Sequence, residues 1–260
     1  MIRPATLADL PSIRPLLDEA NDMPYDLRAV AEEKCFERGY EGAAVARIAG
    51  DFDGISVTCG KYLRLLGVRR AARGRGIGTA LLRDAESRGA SVVAAEPGNY
   101  FTPGVLESMA PFFRKGGYAE TATTNNLVCD TPVGWRGSAR VARNGQRSRV
   151  LEFIEEHFGP IWRFEAARSA TIVYVEHEGA VAGFATHEAN NQGLGWFGPT
   201  GVAKELRGLG YGRELLLASL ADLRRLGYDR AVIPWTDAVE FYRKSCNARL
   251  AHRFVILRRS

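Results

Sequence analysis

The sequence predicts an α/β (α+β mixed) fold that is built twice along one chain. Three observations carry this. A six-residue pattern, RxxGxG, occurs at Arg73–Gly78 and again at Arg207–Gly212, in each case five residues after a valine, Val68 or Val202. Both copies open an apolar-periodic helix, and they lie about half of the 260-residue chain apart. The order of strands and helices around them also repeats, and strands meeting helices in mixed order call for a sheet with helices packed on its faces. Half-length pieces match the common size of a domain. The Pro- and Gly-bearing segment Asp130–Gly134 is the expected boundary, giving domains 1–134 and 135–260.

In the first half, Thr6 precedes Asp9, Leu10, Ile13, Leu16 and Leu17, the spacing of a capped amphipathic helix. Strands are expected at 43–49, 55–59 and 62–68, the last leading into the first RxxGxG. A helix from Ile77 to about Arg88 stops at Gly89, and 91–95 is a short apolar strand. A long irregular loop then reaches a helix around 106–115, closed by Gly116-Gly117. The second half repeats the scheme with a helix at 150–157 and strands at 171–176, 180–187 and 193–202. A helix at 212–226, a strand at 230–233, a helix at 238–246 and a final strand near 254–257 complete it.

Composition narrows the class. The chain is 46% hydrophobic, enough for two ordinary cores. It has no apolar run of 18 residues at either end, and residues 1–6 lack the basic-then-apolar form of a secretory signal, so we expect a cytoplasmic protein without a membrane segment. Its four cysteines, Cys35, Cys59, Cys129 and Cys246, form no CxxC pair and have no histidine at metal-ligand spacing, so no metal site is expected. The net charge of +5 is uneven. Residues 1–134 hold 16 Lys+Arg against 17 Asp+Glu, and 135–260 hold 19 against 13. Arg136, Arg140, Arg143, Arg147 and Arg149 account for most of that excess in one acid-free stretch. Without aromatic residues between Arg140 and Arg149 to stack on bases, this reads as a solvated linker rather than a nucleic-acid arm.

The repeated loop is built for an anion. Its glycines let backbone N–H groups turn inward, and the helix that follows adds unsatisfied donors and a positive dipole end. A nucleotide-triphosphatase loop needs Gly-Lys-Ser/Thr, whereas Thr79 or Arg213 follows here. A dinucleotide loop needs GxGxxG, whereas Gly74–Gly78 is GxGxG. Either loop suits a phosphate or pyrophosphate, and an arginine beside it can add bidentate bonds.

These residues resemble the acyl-CoA-binding motif of the GNAT superfamily of N-acetyltransferases. The motif residues are Val202, Arg207, Gly208, Leu209, Gly210, Tyr211 and Gly212 in the second half, and Val68, Arg73, Gly74, Gly76 and Gly78 in the first. The segment Ala238–Lys244 resembles the family's later helix, whose tyrosine is commonly near the cofactor sulfur, and Ala110–Tyr118 is its counterpart. The resemblance implies two tandem GNAT-like domains, each a twisted mixed sheet flanked by helices and splayed open beside the RxxGxG strand. It also implies acetyl-CoA as cosubstrate.

An alkyl amine with a pKa near 10.4 is almost wholly protonated at neutral pH, so acetyl transfer needs a group that accepts a proton from it. The departing thiolate needs a proton or hydrogen bond. Tyr242 is the expected catalytic acid, and by resemblance the backbone N–H of Val202 polarises the thioester carbonyl. Glu188, Asp237, Glu96 and His187 are candidates for the base, with a structural role the plainer reading of His187. Phe113 stands opposite Tyr242, so the first domain lacks the phenol. It also carries nine extra residues around Pro97–Gly104, and its cofactor helix is one turn shorter. The second domain is therefore expected to catalyse and the first to support it. Trp162, Trp196, Trp235, Tyr100 and Phe101 are candidates to line a substrate pocket. The expected partner is a small-molecule amine, amino sugars included, ahead of a protein amine. The contrasting reading is an acyl-CoA-binding sensor or scaffold without catalysis.

Overall fold

The last strand of the chain does not stay with the half that precedes it. In the computed structural model, which describes residues 1–23 and 25–260, one unit consists of Met1–Thr124 with Arg253–Ser260 and the other of Asn125–His252. The expected division at residue 134 differs from this at both ends. A strand over 119–130 runs through the segment where the first unit ends, and the chain terminus returns to the first unit's sheet.

Unit 1 begins with β1 (Ile2–Pro4), α1 (Leu10–Ala20) and α2 (Ala31–Phe36). Asp9 accepts the Thr6 N–H and pairs with both terminal nitrogens of Arg3 at 2.7 and 3.0 Å, which fixes the entry to α1. Leu10, Ile13, Leu16, Leu17 and Ala20 form its buried stripe. Next come β2 (Ala44–Ala49), β3 (Gly54–Cys59) and β4 (Tyr62–Val68), an antiparallel meander in which Ile48 faces Ile55 and Ile55 faces Gly67. After α3 (Ile77–Ser87), β5 (Val92–Val93) lies parallel to β4 but pairs with it only at Tyr62↔Val92 and Leu63↔Val93. Ala94 and Ala95 then take left-handed backbone angles, φ 52° and 55°, and the chain leaves β4. The two strands splay from Arg64 onward. The unit continues through β6 (Val105–Leu106), α4 (Ala110–Lys115) and the start of β7 (Ala119–Asp130).

In unit 2 come β8 (Arg140–Val141), α5 (Asn144–Phe158), α6 (Pro160–Arg168), β9 (Thr171–His177), β10 (Ala180–His187) and β11 (Phe197–Val202). They are followed by α7 (Tyr211–Arg225), β12 (Arg230–Thr236), α8 (Val239–Cys246) and β13 (Arg249–Arg258). Strands β8 to β11 form an antiparallel sheet, and β12 pairs antiparallel with the end of β7, Ala231 facing Cys129 and Ile233 facing Leu127. The segment leading into β11 meets β12 at one parallel bridge, Trp196↔Val232. Beyond it the strands part, as β4 and β5 do. Leu215, Leu216, Leu220 and Leu223 of α7 pack on Val173, Val175, Ala182 and Ala185.

Two sequence expectations change here. From Arg140 onward the arginine-rich stretch is not a linker but β8 and the first turns of α5. Arg149 and Arg140 reach Glu176 at 2.7 and 3.5 Å, and Arg147 donates to the carbonyls of Ala167 and Ser169. Those partners are distant in sequence, and no apolar period appears before Val150. The strand expected at 193–202 starts only at Phe197, because Glu188 accepts the Gly193 and Trp196 amides and the Tyr228 hydroxyl, holding residues 189–196 as a turn. The nine-residue insertion lies in an irregular loop, as expected, and that loop is buried. Asn99, Tyr100, Phe101 and Thr102 are buried, and the Asn99 amide donates to the carbonyls of Glu33, Glu37 and Arg38.

The returning end of β13 closes unit 1. Leu257 and Arg258 pair with Val93 and Val92, and Phe254 and Val255 with Leu106 and Val105. Phe254, Val255, Ile256 and Leu257 are all at most 8% exposed. At about 1.5–3 kcal/mol per buried side chain, their loss rivals the roughly 5–15 kcal/mol that stabilises an ordinary domain. Truncation after His252 is therefore expected to unfold unit 1 and spare unit 2. Limited proteolysis followed by mass spectrometry checks this, and continued protection of residues 44–68 in the truncated chain would contradict it.

Candidate active site

Both RxxGxG segments fold alike. A single 3-10 turn, Arg70–Ala72 or Lys204–Leu206, delivers the arginine in extended conformation. Two left-handed glycines follow, Gly74 and Gly76 at φ 80° and 79°, Gly208 and Gly210 at 87° and 90°, and α3 or α7 starts at once. A Cβ at any of the four would meet nothing within 4 Å. The backbone angle, not crowding, requires glycine. The first helical bonds of α3 and α7 run from Ala80 to Gly76 and from Glu214 to Gly210. The amides of Ile77, Gly78 and Thr79, and of Tyr211, Gly212 and Arg213, thus lie ahead of them as free helix-start donors.

The five-residue spacing from valine to arginine has a direct cause. Nε of Arg73 donates to the Val68 carbonyl at 3.1 Å, and Nε of Arg207 to the Val202 carbonyl at 3.3 Å, closing each loop on the strand that enters it. Arg73 is further engaged, with Asp22 at 2.8 Å and the Ala20 carbonyl at 3.1 Å. Arg207 retains its terminal nitrogens at an exposed position. Leu209 is 59% exposed. The Tyr211 hydroxyl bonds His177 Nδ1 at 2.8 Å, so its backbone rather than its side chain belongs to the loop.

In unit 1 a cleft of about 640 Å³ extends from the loop along β4. Its walls include Leu17, Ala20, Leu27, Val93, Phe101, Phe112 and Phe113. Arg64 also lines it, with its guanidinium fully engaged. It makes a two-point contact with buried Glu96 and donates to the carbonyls of Lys34 and Glu37 at 2.8 and 2.9 Å. Glu96, a candidate base, is thereby committed to structure.

Unit 2 differs at the matching place. A Cβ on Gly67 would stand 3.1 Å from the Ala20 side chain, whereas a Cβ on Gly201 would stand 2.5 Å from the ring of Phe158. That ring stacks on Trp162, with centroids 5.2 Å apart at 11°, and covers β11. Phe112 and Phe241 occupy equivalent positions, each ring 3.5 Å from where a Cβ on Gly78 or Gly212 would be. The next residues, Phe113 and Tyr242, point into the cores. Tyr242 is 7% exposed and packs edge-on to Phe197. Burial, with the Cys246 and Cys129 thiols beside it, pushes its pKa well above the ordinary tyrosine value.

The other base candidates separate cleanly. His187 is 1% exposed, and its Nε2 meets Asp222 at 2.9 Å, a bond that lowers the Asp222 pKa. Glu188 holds the turn already described. Asp237 is exposed at the approach to α8. Trp196, Tyr100 and Phe101 are buried, and Phe101 lines the unit 1 cleft. Among the described residues no His/Cys/Asp/Glu cluster has the form of a metal site, and no helix is long and apolar enough to cross a membrane.

Residues 142–248, which include the second loop and Tyr242, match the profile of the acetyltransferase (GNAT) family. That segment, about two fifths of the chain, is similar to a GNAT acetyltransferase domain. Solved structures share the mixed α/β fold over nearly the whole chain. One is a fungal multi-domain β-N-acetylglucosaminidase with a GCN5-related glucosamine N-acetyltransferase region, at 17% identity and TM-score 0.77, covering 99% of this chain. This chain spans 38% of that protein's length. A GCN5-related N-acetyltransferase from Sphaerobacter thermophilus aligns at 18% identity and TM-score 0.68, over 100% of this chain and 95% of its own. A tandem GNAT protein from the clavulanic acid biosynthesis pathway aligns at 15% and 0.70, over 99% and 97%. No curated protein matches the sequence.

A β-branched residue in a left-handed position costs roughly 1–2 kcal/mol and turns the loop amides away from the anion. Gly210→Val and Gly76→Val are each expected to weaken acyl-CoA binding at their own loop at least tenfold. Calorimetry on each purified variant checks this, and wild-type affinity and stoichiometry would contradict it.

Proposed function

We propose that this is a tandem GNAT protein whose unit 2 moves the acetyl group of acetyl-CoA to the primary amine of a small molecule, amino sugars among the acceptors. The observation that carries the proposal is the second RxxGxG loop, with its helix-start amides unused and Arg207 at its edge, inside the segment that matches the acetyltransferase family. Donors in that arrangement fit a pyrophosphate. Acetyl-CoA supplies an activated acyl group. The residues Arg207 to Gly212 hold its phosphates, and the Val202 N–H polarises the thioester carbonyl.

Tyr242 hydrogen-bonds the departing sulfur. Its unit 1 counterpart Phe113 lines a cleft beside the first loop, which supports giving Tyr242 the same position relative to the second. A phenol with a raised pKa stays protonated and donates, which suits this role. Asp237, open to solvent where the other candidates are engaged, draws the proton from the attacking ammonium. Phe158 and Trp162 over β11 leave room for a small acyl group and give the acceptor an aromatic wall. The glucosamine N-acetyltransferase region of the fungal relative supports including amino sugars.

Thiol release from acetyl-CoA across a panel of amines, with glucosamine among them, tests the reading. No release with any amine would leave acyl-CoA binding without catalysis. Tyr242→Phe is expected to lower turnover tenfold or more while keeping acetyl-CoA affinity. The wild-type rate is expected not to fall between about pH 8 and pH 10, where an ordinary tyrosine begins to ionise. An alkaline decline that Tyr242→Phe removes would contradict the raised pKa.

A further inference from the structure

We infer that the cleft of unit 1 is a second acyl-CoA site, one that prefers a thioester with an apolar acyl chain of four or more carbons and holds it without transfer. This rests on the acyl-CoA reading of the loops and adds to it which acyl group each loop serves. The loop end of the cleft has what a pyrophosphate needs, the amides of Ile77, Gly78 and Thr79, with Arg73 beside them paired to Asp22. Arg75 adds an exposed cation in the first loop where the second has Leu209. Much of the remaining lining is of another character. Leu17, Leu27, Leu65 and Phe101 belong to it, each at most 7% exposed. A ligand that carries both an anionic group and an apolar chain matches this lining.

The cleft is unsuited to amine chemistry. The lining side chains that ionise are Asp22, Arg64 and Arg73. Asp22 pairs with Arg73, and Arg64 is bound to Glu96 and two carbonyls. None is free to take a proton from an ammonium. Phe113 stands where a phenol would have to assist the sulfur. Width separates the two units as well, since small Ala20 faces Gly67 where Phe158 covers Gly201. Apolar contact strengthens binding about fourfold for each fully buried methylene, so chain length is the readout.

The test uses the full chain with its second loop disabled, Arg207→Ala with Gly210→Val, titrated calorimetrically with CoA, acetyl-CoA and hexanoyl-CoA. The expected result is one remaining site at which hexanoyl-CoA binds at least tenfold more tightly than acetyl-CoA. Arg73→Gln with Arg75→Gln, both exposed, is expected to weaken all three ligands and preserve their ratio. Ala20→Phe, which reproduces the Phe158 contact, is expected to abolish hexanoyl-CoA binding. Equal affinity for the two thioesters, or no binding at all in the disabled background, overturns the inference whether or not Ala20→Phe folds. If the intact chain still binds acetyl-CoA in that case, only this inference fails. If the intact chain binds no acyl-CoA, the reading of both loops fails with it.

Discussion

Each unit depends on two neighbouring parallel segments that separate soon after they meet. In unit 1 the pairing of β4 with β5 ends after Leu63, and in unit 2 the contact with β12 is the bridge at Trp196. A strand interior without a neighbour presents backbone groups that must find partners. Everything local to the site follows from that opening. The RxxGxG loop sits at the far end of the separated strand, its arginine tied back to the strand's last valine. The following helix aims its first amides at the same place. An extended ligand with amide groups along it and phosphates at one end satisfies both the strand edge and the helix start.

The two openings have diverged through a few side chains. Ala20 against Phe158 sets the width, Phe113 against Tyr242 sets whether a hydroxyl is present, and Arg75 against Leu209 sets the charge at the mouth. Beside the first opening Arg64 of β4 and Glu96 form a buried ion pair, and Asn99 of the insertion after β5 bonds the carbonyls of Glu33, Glu37 and Arg38. A buried pair of this kind is costly to form and more costly to break, and so it favours one arrangement of the surrounding loops.

Much of this was legible in the sequence. The loops, the helices after them and the difference in their lengths, 11 residues in α3 and 15 in α7, follow from glycine placement and apolar period. What escaped depends on contacts between distant residues. Strand β7 reads AETATTNNLVCD, mostly polar and exposed in its first half, so no alternation marks it. Acid-free Arg140–Arg149 looks solvated until Glu176 is known to stand beside it. The return of β13 to unit 1 leaves no trace in composition, because an apolar strand suits either sheet. Glu96 and Glu188 are carboxylates after strands, as a base would be, and only their partners reveal them as structural.

Amide hydrogen exchange on the full chain, with and without acetyl-CoA, tests the central claim most directly. Binding at the loops predicts slowed exchange at Ile77–Thr79 or Tyr211–Arg213 together with the separated parts of β4 or β11. Protection confined to other segments, with both helix starts exchanging as in the free protein, would contradict the account.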